Sequence, residues 1–349
     1  MLSFRAYINT LYERVIMKIR NIFLALLGFI ILSTSFAQVT PLYPAEKVKV
    51  AYVPIMKFAT MYVAESRGIF DKYGLDVEIN RVKSGTEAIA FLTEGQIDVG
   101  GIAIVTSLWN GWNQGLDIRI IAPGALEPFE NSPTKFMISK ALAGSSMSDL
   151  AGKTVAMAGG PGSGAEYLSS KALAQGGLTI RDVNIVKIGN ADIPAAFANG
   201  SIDAALLGSP YADQVEQAGT AVALATDLTP GLMTVAFVAS GKFVNERPEV
   251  AKRFALALLE AARMMQGDDY LSAENMDAYL SYVNATPESI TNGKRVVYDV
   301  NQVIPVEGLA DIEATHRGNG RTQYDEPIDL NNVVDSSFMD WARATLGEQ

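Results

Sequence analysis

Residues 92–98 read LTEGQID and residues 197–203 read FANGSID, so a similar sequence motif occurs twice, 105 positions apart. The same offset places Tyr62 on Tyr167 and brings the apolar stretches near positions 50 and 155 into register. A duplicated unit of about 105 residues explains these matches together. The repeat therefore predicts a chain built from two similar halves.

Each half alternates short β-branched strands with helices of moderate length. This alternation favours parallel sheets that are covered by helices on both faces. The first half predicts strands at 48–53, 75–82 and 97–103 with helices near 59–70 and 86–94, and the second predicts strands at 153–158, 182–188 and 202–208 with helices near 164–176 and 191–199.

The pattern Gly-x-Ile-Asp follows the second helix of each half, at Gly95 and again at Gly200. A glycine at this point favours the left-handed conformation that terminates a helix. The carboxylates of Asp98 and Asp203 then stand at the front of a strand, where they can accept backbone N–H groups from a neighbouring turn. One packing role explains both copies, so we favour it over a role as ligand or general base.

The segments that flank the second half predict how the two halves connect. TKFMISK at 134–140 and VAFVAS at 235–240 are strand candidates that suit crossovers between two lobes. From Pro248 onward the apolar residues recur at helical spacing. Helices are predicted from Pro248, at 274–283, from Pro287 and at 335–346, and they should pack on the first lobe.

The predicted fold class is α/β, with two doubly wound lobes and a ligand cleft at the hinge between them. The second lobe is inserted into the first. The predicted ranges are 1–37 for a leader and signal peptide, 38–139 plus 241–349 for lobe 1, and 140–240 for lobe 2.

The N-terminal stretch predicts export. From Met17 the chain reads MKIRNIFLALLGFIILSTSFAQ, in which a basic start precedes an apolar run at 22–32 and a small-x-small site that ends at Ala37. This run spans about 16 Å as a helix, against roughly 30 Å of bilayer hydrocarbon. A signal peptide cleaved near Ala37-Gln38 is therefore favoured over an uncleaved anchor, and the product would be periplasmic. Translation could start at Met1 or at Met17.

Composition removes several functional classes. The formal net charge of −10 disfavours a nucleic-acid partner, because phosphate binding requires a basic face. The absence of Cys from the sequence excludes disulfides, thiolate catalysis and cysteine-ligated metals. The only His is His316, and its flanking sequence ATHRGNGR predicts an exposed loop. We expect neither a metal nor a cofactor.

Candidate ligand contacts cluster at the carboxyl ends of the predicted strands, where open parallel sheets bind their ligands. The stretch GGPGSGAE at 159–166 has four glycines, which allow close backbone approach, and it places Ser163 at the start of the next helix. It lacks the closing Lys of a P-loop. Lys57, at another strand exit, indicates an anionic ligand group, although a solvated surface lysine explains it equally well.

Aromatic residues at or after these loops could line an apolar wall of the ligand site. Core packing is the alternative interpretation for each of them. They are Phe58, Tyr62, Trp109, Tyr167 and Tyr211.

Three segments resemble the periplasmic substrate-binding proteins of the nitrate/sulfonate/taurine and thiamine-pyrimidine type, which serve ABC transporters. They are VAYVPIMKFATMYVAESRGIFDKYGLDVEI (50–79), SGTEAIAFLTEGQIDVGGI (84–102) and LAGKTVAMAGGPGSGAEYLSSKAL (150–173). The resemblance implies a type II periplasmic-binding-protein fold, a small-molecule ligand held between the lobes, and a membrane permease as partner. The positions that match the family's ligand loops are Lys57, Phe58, Tyr62, Ser84, Gly85, Thr86, Thr106, Ser163, Gly164, Ala165, Asn190 and Tyr211.

The resemblance therefore implies the solute-binding component of an ABC importer, acting as a monomer on a small anionic organic molecule such as a sulfonate, a taurine-like compound or a carboxylate. Ligands of the family also include pyrimidines, flavins and aromatic acids, so a binder of a pyrimidine or aromatic heterocycle is the first alternative. An enzyme or a sensory module on the same scaffold is the second. Porphobilinogen deaminase needs a Cys and the fungal pyrimidine synthases use Cys and His, whereas this chain has no Cys and one His. The menaquinone-pathway relatives are cytosolic, whereas this chain carries a predicted export signal.

Overall fold

The computed structural model describes residues 39–349 and, before them, Met17 alone. The predicted leader and signal peptide at 1–37 lies outside these described residues. Within the described part of the chain, no helix is both long enough and apolar enough to cross a membrane.

The first sheet has five strands, in the order β2-β1-β3-β10-β4. Their bounds are β1 Glu46–Tyr52, β2 Leu75–Arg81, β3 Val99–Ala103, β4 Ile118–Pro123 and β10 Val235–Ser240. β1 pairs in parallel with both β2 and β3, whereas β10 runs antiparallel between β3 and β4. Val50 faces Ile79 on one side and Val99 on the other, and it is fully buried because helices cover this sheet.

The second sheet repeats this plan in the order β7-β6-β8-β5-β9. Its bounds are β5 Lys135–Ser139, β6 Thr154–Met157, β7 Asn184–Lys187, β8 Ala204–Leu207 and β9 Ala221–Ala225. β6 pairs in parallel with β7 and β8, and β5 runs antiparallel between β8 and β9. The predicted class, an α/β chain of two similar lobes, is confirmed.

The two crossover strands, β5 and β10, lie in the opposite sheets from those that the predicted lobe ranges imply. Those ranges leave 135–139 in lobe 1 and 235–240 in lobe 2, whereas hydrogen bonding places β5 in the second sheet and β10 in the first. Each crossover strand completes the sheet that the chain is entering, because it fills the antiparallel position between two strands of that sheet. We propose that the lobe boundaries are the crossing segments 124–134 and 226–234.

The repeated Gly-x-Ile-Asp has the packing role that the sequence predicts. Asp98 accepts a hydrogen bond from the amide of Lys49 at 2.9 Å, and Asp203 accepts one from the amide of Thr154 at 2.8 Å. In each case the carboxylate just before one strand is bonded to the backbone of its parallel neighbour, in the middle of β1 in the first copy and at the first residue of β6 in the second. The glycine three residues earlier ends its helix with a φ of 69° in the first copy and 71° in the second.

The longest helix described, Pro248–Arg263, packs against the helices of the first lobe, as predicted. Proline opens it at a position where no N–H acceptor is needed, and ten of its residues are buried. Phe254 stacks on Phe70, with ring centroids 5.3 Å apart. The helices are Ala59–Ser66, Ile69–Lys72, Gly85–Thr93, Thr106–Asn113, Gly164–Ala174, Ile193–Ala198, Tyr211–Gln217, Gly241–Glu246, Pro248–Arg263, Ala273–Tyr282, Pro287–Asn292, Glu307–Gly318 and Ser337–Leu346.

The prediction of an exposed loop at His316 is wrong. The residue lies in the last turn of the helix Glu307–Gly318 and is fully buried, with its ring 6.3 Å from that of Tyr167. The glycines that suggested a loop, Gly318 and Gly320, follow the histidine, and the helix includes the first of them. Burial lowers the pKa of His316 to about 4, and the backbone of Ile104 opposes this shift in part.

Candidate ligand-binding cleft

A cavity of about 150 Å³ lies between the two sheets. Its walls come largely from chain segments that follow parallel strands, where sheets of this kind bind ligands. A cavity of this volume holds a molecule of about the size of benzene. The segments that contribute lie within 53–57, 83–86, 103–105, 158–165 and 206–211.

Nine of the twelve predicted site residues line this cavity. The structure thus brings together positions that are up to 154 residues apart in the chain, from Lys57 to Tyr211. Their contact with a ligand stays a prediction. The nine are Lys57, Ser84, Gly85, Thr86, Ser163, Gly164, Ala165, Asn190 and Tyr211.

Phe58 and Tyr62, two of the remaining three, lie in the core of the first lobe rather than on the cavity wall. Phe58 packs edge-on against Phe237, with ring centroids 5.5 Å apart. The Tyr62 hydroxyl donates to the carbonyl of Ile55 at 2.8 Å, and the ring stacks on Tyr282. Both are fully buried because the helix that follows β1 turns this face toward the sheet and the C-terminal helices.

The third, Thr106, joins the two lobes. Its amide donates to the carbonyl of Gly162, in the glycine-rich turn of the second lobe, at 2.8 Å. Gly162 has a φ of 76°, and a Cβ atom built there would lie 2.8 Å from the Thr106 hydroxyl oxygen. The glycine is required both for its left-handed backbone and for this close approach.

The predicted aromatic wall is largely absent from the cavity as described. Trp109 and Tyr167 are buried in the core, as are the two aromatic residues discussed above, and only Tyr211 of the predicted five lines the cavity. Tyr270, which sequence reasoning missed, is a second aromatic wall residue. Burial raises the pKa of Tyr270 to about 12, so its hydroxyl is a neutral donor at physiological pH.

Two helix N-termini open onto the cavity, one from each lobe. In the helix Gly85–Thr93, the Ser84 hydroxyl accepts from the amide of Glu87 at 3.4 Å. In the helix Gly164–Ala174, Ser163 accepts from Glu166 in the same way at 3.2 Å. Each cap leaves the amides of the first two helical residues without an intrahelical acceptor. Amides in this arrangement, together with the helix dipole, favour anions.

Lysines supply all the formal charge on the cavity wall. Lys57, Lys83 and Lys294 line it, and none of the described side chains that line it is acidic. Lys83 and Lys294 are exposed, whereas Lys57 is buried. In a protein with a net charge of −10, this segregation of positive charge creates a local field that attracts anions.

The charge of Lys57 is paired, which the sequence did not reveal. Its ammonium group forms a buried ion pair with Glu127 and donates to the Thr234 hydroxyl at 3.0 Å. Glu127 also accepts from Thr134 at 2.9 Å and from Ser132 at 2.6 Å. Because Glu127 lies 70 residues from Lys57 in a segment without a repeat partner, no local pattern indicates this contact.

This ion pair sits where the chain crosses between the lobes. The Glu127 amide donates to Leu232 at 2.9 Å, and Gly124 donates to Val235 at 3.1 Å, so the two crossing segments are hydrogen-bonded to each other. A ligand that touches Lys57 therefore lies directly against the hinge.

A second connection between the lobes follows the helix Glu307–Gly318. Arg321 forms a salt bridge with Glu166, which is fully buried, at 2.9 Å. Two residues later, the Gln323 amide donates to Asn110 in the first lobe at 2.8 Å. The segment around Arg321 therefore ties a helix of each lobe behind the cavity.

The C-terminal region supplies wall residues that the sequence did not predict. Ile290 lines the cavity from the helix Pro287–Asn292, and Lys294 and Val296 line it from the segment that follows this helix. This region follows the duplicated halves and has no counterpart in the repeat, so the offset that located the other loops could not find it.

Two lobes joined by crossing strands around a central cleft define the type II periplasmic-binding-protein fold. The nitrate-binding protein NrtA from Synechocystis PCC 6803 has the same architecture, with a TM-score of 0.72, 18% identity, and coverage of 87% of this chain and 89% of that one. The alkanesulfonate-binding protein SsuA from Xanthomonas axonopodis pv. citri, bound to MOPS, matches with a TM-score of 0.67 and 19% identity, and the match covers 84% of this chain and 99% of that one. The desulfurization enzyme DszB matches with a TM-score of 0.59 and 16% identity, and the match covers 86% of this chain and 99% of that one. At these identities the likeness concerns the fold.

A sequence model of the NMT1-like family matches residues 43–280, and the chain belongs to that family. A protein of Brucella abortus, named as a candidate binding protein, is 25% identical over 247 residues, which cover 66% of this chain and 71% of the relative. The resemblance predicted from the three segments is thereby confirmed.

Proposed function

We propose that this protein is the solute-binding component of an ABC importer, and that it captures a small anionic organic molecule between its lobes. The observation that carries the proposal is the wall of the cavity, which presents three lysines, two helix N-termini and no acidic side chain among the described residues. The binding proteins among its structural neighbours and its Brucella relative support the same function.

The mechanism follows from the position of the cavity. A ligand that contacts both lobes stabilises the closed form, in which both sets of contacts are made, over any more open form. The shift cannot exceed the difference between the ligand's affinities for the two forms. We propose that a membrane permease is the protein partner of this monomer and that it recognises the closed form.

The size and charge of the cavity favour a small sulfonate or carboxylate with an apolar body. Most of the remaining wall is aliphatic, including Val53, Leu168 and Leu206. A neutral pyrimidine or aromatic heterocycle would fit the volume but would leave the exposed lysines and helix amides without an anion. We therefore place the heterocycle second.

A binding role is favoured over catalysis. None of the described side chains that line the cavity is His, Asp or Glu, so Ser84 and Ser163 have no such base beside them. The buried lysine is held in an ion pair. For an imported solute the protein must act outside the inner membrane, so we propose a periplasmic location, in agreement with the predicted signal peptide.

Calorimetry tests this function. The probes are methanesulfonate, propionate, benzoate and benzenesulfonate, together with uracil as a neutral heterocycle. We expect at least one anion to bind with a micromolar Kd, which corresponds to about −8 kcal/mol. Absence of binding to every probe at millimolar concentration, with a folded sample, would contradict the proposal.

Two lysine variants show whether the anion binds in the cavity. Lys83→Ala and Lys294→Ala should each weaken anion binding about fivefold, since one screened charge contact is worth about 1 kcal/mol. Added salt should weaken binding to the parent protein more than to the variants. Lys140→Ala, an exposed lysine outside the cavity, is the matched control and should change nothing. Equal affinities in all variants would place the anion elsewhere.

A further inference from the structure

The ion pair of Lys57 and Glu127 presents only one of its two charges to the cavity. The Lys57 side chain is 10% exposed and lines the cavity, whereas Glu127 is 3% exposed and lies behind it. A ligand in the cavity therefore contacts the ammonium group of Lys57, and the carboxylate of Glu127 lies in direct contact with that group on its far side. Its attraction for a negative charge is therefore largely cancelled.

Glu127 is held in place as a carboxylate. It accepts hydrogen bonds from Lys57, Thr134 and Ser132, so three donors surround its two oxygens. A buried pair of charges persists only when its hydrogen bonds are satisfied in this way, since desolvation opposes it. Removing either partner would leave the other charge buried and unopposed.

Lys57 keeps one donor for the ligand. Glu127 and Thr234 accept two of its three N–H groups, and among the described residues the third has no acceptor. The cavity wall at this depth therefore offers a hydrogen bond without a net charge. A hydroxyl, ether or carbonyl oxygen matches it, whereas a second anionic group would lose its hydration and meet the field of Glu127.

The anionic group of the ligand has better partners elsewhere. Lys83 and Lys294 are exposed, and among the described residues neither forms a salt bridge, while the amides of Gly85 and Gly164 add partial positive charge at two helix N-termini. A ligand that satisfies both regions has one anionic group near these residues and one neutral acceptor against Lys57.

We infer that the Lys57–Glu127 pair makes the cleft selective for monoanions that carry a neutral hydrogen-bond acceptor, and that it discriminates against dianions. This inference rests on the proposed function, because it concerns the same cleft. It assigns to Glu127, which does not line the cavity, the role of a specificity-determining residue.

Two nearly isosteric pairs of probes test the inference: succinamate against succinate, and malonamate against malonate. Each pair differs only by an amide in place of a second carboxylate. In the parent protein the amide of each pair should bind at least tenfold more tightly, which is about 1.4 kcal/mol. A parent protein that prefers the dianions, or that binds neither pair, overturns the inference. The wider panel of anions judges the proposed function separately.

The variant Glu127→Gln removes the opposing charge at nearly constant shape. The amide oxygen can still accept from Lys57, which now carries an unopposed positive charge. The preference for the amide should therefore shrink at least tenfold or reverse. An unchanged preference would show that Glu127 does not set the selectivity.

The double variant Glu127→Gln with Lys57→Met is the control. Both charges are absent, so the dianion no longer meets an unopposed positive charge and the preference for the monoanion should return. The amide should bind more weakly than in the parent, because methionine cannot donate the hydrogen bond of Lys57. This variant also decides the question if Glu127→Gln alone does not fold, with folding followed by thermal melting. If the double variant prefers the dianion as strongly as Glu127→Gln does, the charge of Lys57 is not what changes the selectivity, and the inference is overturned.

Discussion

Protonation of His316 should make this protein less stable in mildly acidic solution. The side chain is fully buried, and burial lowers its pKa from 6.5 to about 4. In the unfolded chain the same group has a pKa of about 6.5. Between these two values the unfolded state binds a proton that the folded state does not bind, so the free energy of unfolding falls as the pH falls through this window.

The size of the effect follows from the shift. Each pKa unit corresponds to about 1.4 kcal/mol, so a shift of about 2.5 units removes about 3 kcal/mol of stability. The loss begins below about pH 6.5 and is complete below about pH 4. Above pH 6.5 the histidine is neutral in both states and contributes nothing to the pH dependence.

Urea denaturation of the parent protein and of His316→Leu, at several values between about pH 7 and pH 4, measures this difference. Leucine keeps most of the buried volume but does not titrate. The carboxylates titrate in both proteins and cancel in the comparison. On acidification the parent protein should therefore lose about 3 kcal/mol more unfolding free energy than the variant. Parallel curves would refute the assignment of a buried, neutral histidine.

Two further predictions concern the connections between the lobes. Gly162→Ala should lower the free energy of unfolding by at least about 1 kcal/mol more than Gly177→Ala. Both glycines have a positive φ, but only at Gly162 would a Cβ atom collide with the other lobe. Equal losses in thermal melting of the two variants would show that this contact is unimportant. Arg321→Ala leaves the fully buried Glu166 without its cation and should lower the free energy of unfolding by about 3 kcal/mol. The control is Arg343→Ala, because the acidic partner of Arg343 is 56% exposed. This variant should lower the free energy of unfolding by less than about 1 kcal/mol. Similar unfolding free energies for these two arginine variants would contradict the importance of the segment behind the cavity.

The sequence by itself determined the architecture of each lobe. The repeat of Gly-x-Ile-Asp at an offset of 105 residues located matching strands and helices, and it predicted the shared packing role of Asp98 and Asp203. These features depend on local periodicity and on single residues with special backbone preferences, which any copy of the same pattern reproduces. The strand-end loops followed from the same reasoning, and they contain the nine predicted site residues that line the cavity.

Only the tertiary structure decided what each of those residues faces. Glu127 neutralises Lys57, the single His is buried in a helix, and four of the five predicted aromatic wall residues turn into the core. Burial and ion pairing of these residues depend on chain segments that return from far along the sequence. The cavity-wall residues from the C-terminal region and the sheet that each crossover strand joins also depend on contacts between distant segments of the chain. A local pattern specifies which face of an element is apolar, but the partner that covers this face is set when the whole chain packs.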